Sequence, residues 1–125
     1  QFARAIIEGK DIVLKTKGET YRNYCYTRDA VAGLLLVMLA GEDREVYNIA
    51  NFDTGISICD MAKLLCDELS DGHSKVVFDI AEDASKLGYG PTIKIRLNTE
   101  KIEALGYKPS VDLLESYKRM IEYLK

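Results

Sequence analysis

Residues 10–41 read KDIVLKTKGETYRNYCYTRDAVAGLLLVMLAG, and most of the architecture can be argued from them. Asp11 to Lys15 forms a short run with β-branched residues at its centre. Lys17-Gly18-Glu19 carries turn chemistry, and Tyr21 to Tyr26 alternates in character. The expected arrangement is a cationic hairpin. Thr27 or Asp29 then caps a helix that runs through Ala40 and stops at Gly41. That helix is apolar almost all round, so it is expected to be buried on most sides. Residues 10–29 hold five basic side chains (Lys10, Lys15, Lys17, Arg22, Arg28) against three acids (Asp11, Glu19, Asp29). This is a local excess of positive charge in a chain of net charge -3. Arg22 lies among Tyr21, Tyr24 and Tyr26, and its planar fork of donors suits a bidentate grip on phosphate or carboxylate. The competing reading of Arg22 is a structural salt bridge with Asp29 or another nearby acid.

Outward from this stretch, Phe2, Ala5 and Ile6 follow a helical period that Gly9 ends. No capping residue precedes that helix, which is expected if the chain is a fragment of a longer one. Glu45 to Ala50 reads as a strand of apolar and small residues, covered on both faces and paired to a sheet supplied from elsewhere. Ser57 and Asp60 are spaced as a capping box for a helix to Leu69, with Met61, Leu64, Leu65 and Leu69 on one stripe. Lys75 to Ile80 reads as a strand, and Ile93 to Leu97 as a shorter one. Thr99 is expected to cap a two-turn helix ending at Gly106. Ser110 is expected to cap a last helix with the stripe Leu113, Leu114, Tyr117, Met120, Ile121 and Leu124. The alternation gives an α/β to α+β class, with several helices and short strands.

With 125 residues, 47% of them apolar, the chain is long enough for one domain with a real core. The net negative charge argues against a nucleic-acid surface. Ala30 to Ala40 is too short to span a bilayer, so no membrane role is expected. Cys25, Cys59 and Cys66 show no metal spacing. Cys59 and Cys66 are about 10 Å apart on one expected helix, too far for a disulfide. A reducing, cytoplasmic setting follows as the expectation. His73 stands alone in a polar loop, where a solvated role is expected. Cys25 has no histidine near it in sequence and reads as a small buried hydrophobe. Tyr24 and Tyr26 read as packing residues ahead of base-stacking ones. For Lys15, a solvated edge lysine is as good a reading as a ligand contact.

Five segments, in order, resemble the C-terminal, substrate-binding part of the NAD-dependent epimerase/dehydratase family of extended short-chain dehydrogenases. They are AIIEGKDIVL (5–14), RNYCYTRDAV (22–31), EVYNIAN (45–51), ISICDMA (56–62) and LNTEKIEALGYKP (97–109). The second is similar to the family pattern R-[DN]-[FY]-x-[YH]-V-x-D, and the last to L-D-x-x-K-x-x-x-L-G-[WY]-x-P. The resemblance implies a UDP- or dTDP-sugar ligand, with Arg22 on its diphosphate and Leu14 and Lys15 flanking its base. It implies NAD as the cofactor of the parent protein. It also implies a Rossmann half that is not in this sequence, and it leaves a homo-oligomer open. Three departures stand out. No arginine lies near Gly88, where the family often places a second phosphate contact, and Lys86 is the nearest cation. Asn98 replaces an aspartate, and Thr27-Arg28 replaces Val-x.

The nine glycines form no G-x-G-x-x-G or G-x-x-G-x-x-G turn for a pyrophosphate, and no tyrosine has lysine four residues on. The expectation is that residues 1–125 are one substrate-binding unit with no catalytic, cofactor or metal residues of its own. The alternative expectation is a non-catalytic interaction module that reuses the scaffold.

Overall fold

The computed structural model describes residues 1–80, 82 and 88–125. Helix α1 (Phe2–Ile7) turns at Gly9, whose φ of 62° is the left-handed cap its position predicts. Strand β1 (Ile12–Leu14) pairs in parallel with β4 (Val76–Phe78). Strand β2 (Tyr21–Arg22) pairs antiparallel with β3 (Ile56–Ser57). Among the described residues the other helices are α2 (Thr27–Ala40), α3 (Ile58–Leu69), α4 (Glu100–Glu103) and α5 (Leu113–Leu124), with a 3-10 turn at Phe52–Thr54.

The expected hairpin of residues 10–26 is not formed, because β1 and β2 belong to different sheets. Residues 18–20 are engaged elsewhere. The first N–H groups of a helix have no partner within it. In α3, Ile58 N–H donates to Thr20 O (3.0 Å) and Cys59 N–H to Gly18 O (2.9 Å). Gly18 has φ 68°, and a Cβ there would sit 2.8 Å from the Cys59 nitrogen, so this approach requires glycine. Asp60 N–H donates to Ser57 Oγ (3.0 Å), and Ser57 Oγ donates to Asp60 Oδ2 (2.7 Å), which forms the expected capping box. Ser57→Ala is expected to cost about 1 kcal/mol of stability. A drop in Tm with secondary structure otherwise intact checks it; an unchanged Tm would contradict it.

The core sits where α1, α3 and α5 cover β1. It contains Ala3, Ile6, Ile12, Leu14, Met61, Ala62, Leu65, Cys66 and Ile121. Leu113 and Tyr117 of the α5 stripe pack against it, whereas Met120 and Leu124 are exposed. A second buried group, Ala50, Ile102, Tyr107 and Val111, lies outside that cluster. There a Cβ on Gly33 would meet Ile49 Cγ2 at 2.7 Å and Tyr107 Cε2 at 3.0 Å, so α2 packs here through a glycine.

Two expectations about burial are corrected. Only Asp29 and Gly33 of α2 are buried; Met38 is 80% exposed and Leu39 86%, with Val31, Leu34 and Leu35 on the same open face. The helix is apolar all round, yet no described element covers that side. Residues 45–50 form no strand, and Val46 is 80% exposed. Among the described residues, no main-chain group of residues 46–50 is hydrogen-bonded. Side chains hold the segment in place instead. Lys101 reaches Glu45 and lies 4.7 Å over the Tyr47 ring, and Asn48 Nδ2 donates to Asn98 O (3.0 Å).

Caps are corrected too. Asp29 does not cap α2, whose N-cap residue is Tyr26; it lies in the first turn and caps the chain at 110–111 instead. Ser110 is therefore occupied, and Asp112 caps α5 by accepting from Glu115 N–H (2.8 Å). Thr99 is the N-cap residue of α4, but Asn98 Oδ1 supplies the acceptor for Glu100 N–H (2.9 Å). The expected strand at Ile93 to Leu97 is reduced to a single parallel bridge, Tyr21 with Lys94.

Candidate functional site

Arg22 stands on β2 opposite Ile56 of β3, and it is exposed. On the other side of β2, Tyr21 N–H donates to Ile93 O (2.8 Å) and accepts at its own carbonyl from Ile95 N–H (3.0 Å). The arginine thus projects from a short strand flanked on both sides. Among the described residues, its guanidinium makes no ion pair. The salt bridge to Asp29 that the sequence left open is absent from those pairs. That carboxylate accepts from Ser110 N–H (2.9 Å), Val111 N–H (2.9 Å) and Ser110 Oγ (3.0 Å), with Arg28 alongside.

The three sequence-predicted site residues are not brought together in one sheet. Leu14 ends β1 with its side chain in the core, and its carbonyl accepts from Asp79 N–H (2.9 Å). Its side chain is therefore turned away from solvent. Lys15 is ion-paired with Asp79 on the surface. Arg22 alone offers an uncommitted charged group. Lys86, the cation noted near the second phosphate position, lies outside the described residues. Gly88 is at a left-handed turn with φ 79°.

The aromatic wall divides as packing predicts. Tyr24 is half-buried against the core, and its N–H donates to Thr54 Oγ1 (3.0 Å). Burial pushes the Tyr24 phenol up from its ordinary range, while the charge of Arg22 pulls the other way. Tyr26 lies under Arg119, 5.6 Å from ring centroid to guanidinium carbon. Cys25 Sγ rests 3.3 Å from the hydroxyl of buried Tyr107, whose pKa is raised mainly by burial and further by that thiol.

Sequence reasoning passed over Asn23. Its Nδ2 donates to Asn51 O (3.2 Å) and Phe52 O (2.9 Å), and its Oδ1 accepts from Leu97 N–H (2.9 Å). Strand alternation held the signal, since a polar amide between Arg22 and Tyr24 needs partners once it is half-buried. Alternation also puts Tyr21 and Arg22 on opposite faces of β2. On the Tyr21 side lies an open cleft of about 550 Å³, bordered by Lys17, Asp60, Lys94 and Arg96. Arg96 is stacked 3.8 Å over the Phe52 ring.

Among the described residues, one strand runs directly into a helix of more than one turn, β3 into α3. The N–H groups of Ile58, Cys59 and Asp60 there are already taken by Thr20, Gly18 and Ser57. No helix in the described residues is long and apolar enough to cross a membrane.

Comparison with known proteins follows the same lines. The sequence profile of the NAD dependent epimerase/dehydratase family matches residues 1–50. A dTDP-D-glucose 4,6-dehydratase from Mus musculus is 27% identical over 126 residues, covering 100% of this chain and 35% of that protein. A dTDP-glucose 4,6-dehydratase from Escherichia coli is 28% identical over 124 residues, covering 94% of this chain and 33% of that protein. The crystal structure of UDP-glucose 4-epimerase with UDP-glucose, from Thermotoga maritima, superposes with a TM-score of 0.79 at 28% identity. That match covers 98% of this chain and 37% of the epimerase. The chain therefore spans about a third of the length of the curated relatives it matches. The ordered motifs, the family profile over residues 1–50 and the shared fold agree in making this chain similar to part of the NAD-dependent epimerase/dehydratase proteins.

Proposed function

We propose that residues 1–125 form the nucleotide-sugar-binding unit of an NAD-dependent sugar epimerase or dehydratase acting on a UDP- or dTDP-hexose. Arg22 grips the diphosphate, and the Leu14–Lys15 segment flanks the base. Since the Leu14 side chain faces the core, that segment contributes through its main chain and through Lys15. The parent reaction, transient oxidation of the hexose at C4, belongs to a dinucleotide-binding half outside this sequence. The present chain supplies affinity and orientation, which is catalysis by positioning. One observation carries the reading: Arg22 is an exposed arginine on a flanked strand, with no carboxylate partner among the described residues. The open apolar face of α2 and the unpaired main chain at 46–50 favour a missing half that covers the first and pairs with the second.

Titration of the isotope-labelled chain with UDP and with dTDP tests this. Two charge-assisted hydrogen bonds of about 1.5 kcal/mol each correspond to roughly a hundredfold in affinity. Arg22→Ala should weaken binding by about that factor. Equal binding by the wild type and the variant would sink the proposal. So would a wild type that fails to bind even with a dinucleotide-binding half from a relative supplied.

The same α2 face favours a second reading, a non-catalytic module that associates through it, with a second copy of itself or another protein. Concentration-dependent self-association with no nucleotide affinity would select that reading.

A further inference from the structure

We propose that Asn23 is a positioning residue for Arg22, a role that rests on the phosphate reading of Arg22 given above. Strand β2 is only two residues long, and among the described residues the Arg22 guanidinium has no hydrogen-bond partner to fix its direction. An arginine placed this way grips an anion well only if the backbone beneath it is rigid. Asn23 provides that rigidity from the next position. One amide group ties the end of β2 to the residues entering the 3-10 turn on one side, through Asn51 O and Phe52 O. On the other side it holds the 93–97 segment, through Leu97 N–H.

In this chain the partners at the [DN] position of the motif suit the amide alternative. Two carbonyls need donors and one N–H needs an acceptor, so a single orientation of the Asn23 side chain satisfies all three. An aspartate could serve only Leu97. It would turn a carboxylate toward the carbonyls of Asn51 and Phe52 and place a negative charge one residue from Arg22. Serine is too short to span both flanks. Asn23 also fixes Phe52, whose ring carries the Arg96 guanidinium, so the arrangement of both arginines depends on the same side chain.

The test uses UDP as probe and the full 125-residue chain, read by isotope-resolved titration so that only folded protein is counted. Asn23→Ala and Asn23→Asp should each weaken UDP binding at least tenfold. Asn48→Ala is the control. It removes a comparable amide-to-carbonyl bond, Asn48 Nδ2 to Asn98 O at 3.0 Å, from the segment leading to Ala50. Its Tm should fall while UDP affinity stays within twofold of wild type. If both Asn23 variants bind UDP within twofold of wild type while Arg22→Ala has lost it, the positioning role is wrong and the phosphate reading survives. A loss of affinity in Asn48→Ala equal to that in Asn23→Ala would mean general loosening, which also overturns the role. If Arg22→Ala binds as the wild type does, the phosphate reading fails and this inference falls with it.

Discussion

Asp29→Ala is expected to destabilise the chain by about 2–4 kcal/mol, since each buried donor left without its acceptor costs about 1–3 kcal/mol. The Asp29 carboxylate is only 4% exposed and receives two main-chain N–H groups and a hydroxyl from residues 110–111. Alanine would leave the buried Val111 N–H and the part-buried Ser110 N–H without their acceptor, and would detach the approach to α5 from the first turn of α2. Chemical denaturation measures the loss; a change under 1 kcal/mol would refute this account. The pH dependence carries a definite sign. Burial pushes the Asp29 carboxyl up, but the N–H groups of Ser110 and Val111, the Ser110 hydroxyl and Arg28 together outweigh it and hold its pKa below the usual carboxylate range. A depressed folded-state pKa adds stability above the unfolded value, near 4, and that contribution is lost as pH falls through the folded value. Wild-type stability should therefore decline below about pH 4, and this part of the decline should be missing from Asp29→Ala.

Leu65→Ala should cost about 3 kcal/mol, within the usual range for emptying a fully buried leucine site. Leu65 is 0% exposed and sits where α3 meets α1 and β1. A rigid surround of helices collapses poorly into the vacated space, which sets the cost toward the middle of the range. The expected signature is a lower urea midpoint with an unchanged m-value. A midpoint equal to wild type would mean that this cluster does not form the core.

The helices were legible in the sequence because their information is local. Gly9, Ser57 with Asp60, and the stripe of Met61 and Leu65 each act within a few residues, and each appears where the pattern puts it. Pairing was less legible. The turn chemistry at Lys17-Gly18-Glu19 is present, and Gly18 does adopt a left-handed conformation. What the pattern omits is that Ile58 and Cys59 compete for the carbonyls of this turn. Asp29 misled for a similar reason. A carboxylate in a first helical turn reads as local capping, whereas its partners at Ser110 and Val111 are distant in sequence. The apolar surround of α2 read as burial on most sides, yet only Asp29 and Gly33 of it are buried, because no described element packs on its other face. In the candidate site, Arg22 could be found by residue type and motif. Asn23 sits in the same motif and on the alternating strand, but its role was not read from them because its partners lie on segments distant in sequence.

The contact between residues 18–20 and the start of α3 has a kinetic meaning. Two N–H groups in the first turn of α3 find protein acceptors only in a segment far away in sequence. Replacing water at those groups requires closure of the long loop between Thr20 and Ile58, at an entropic cost. Docking of residues 18–20 and maturation of α3 should then occur as one cooperative step. Because Arg22 and Asn23 follow directly on the docked residues, the candidate site would acquire its geometry at the same moment the core closes.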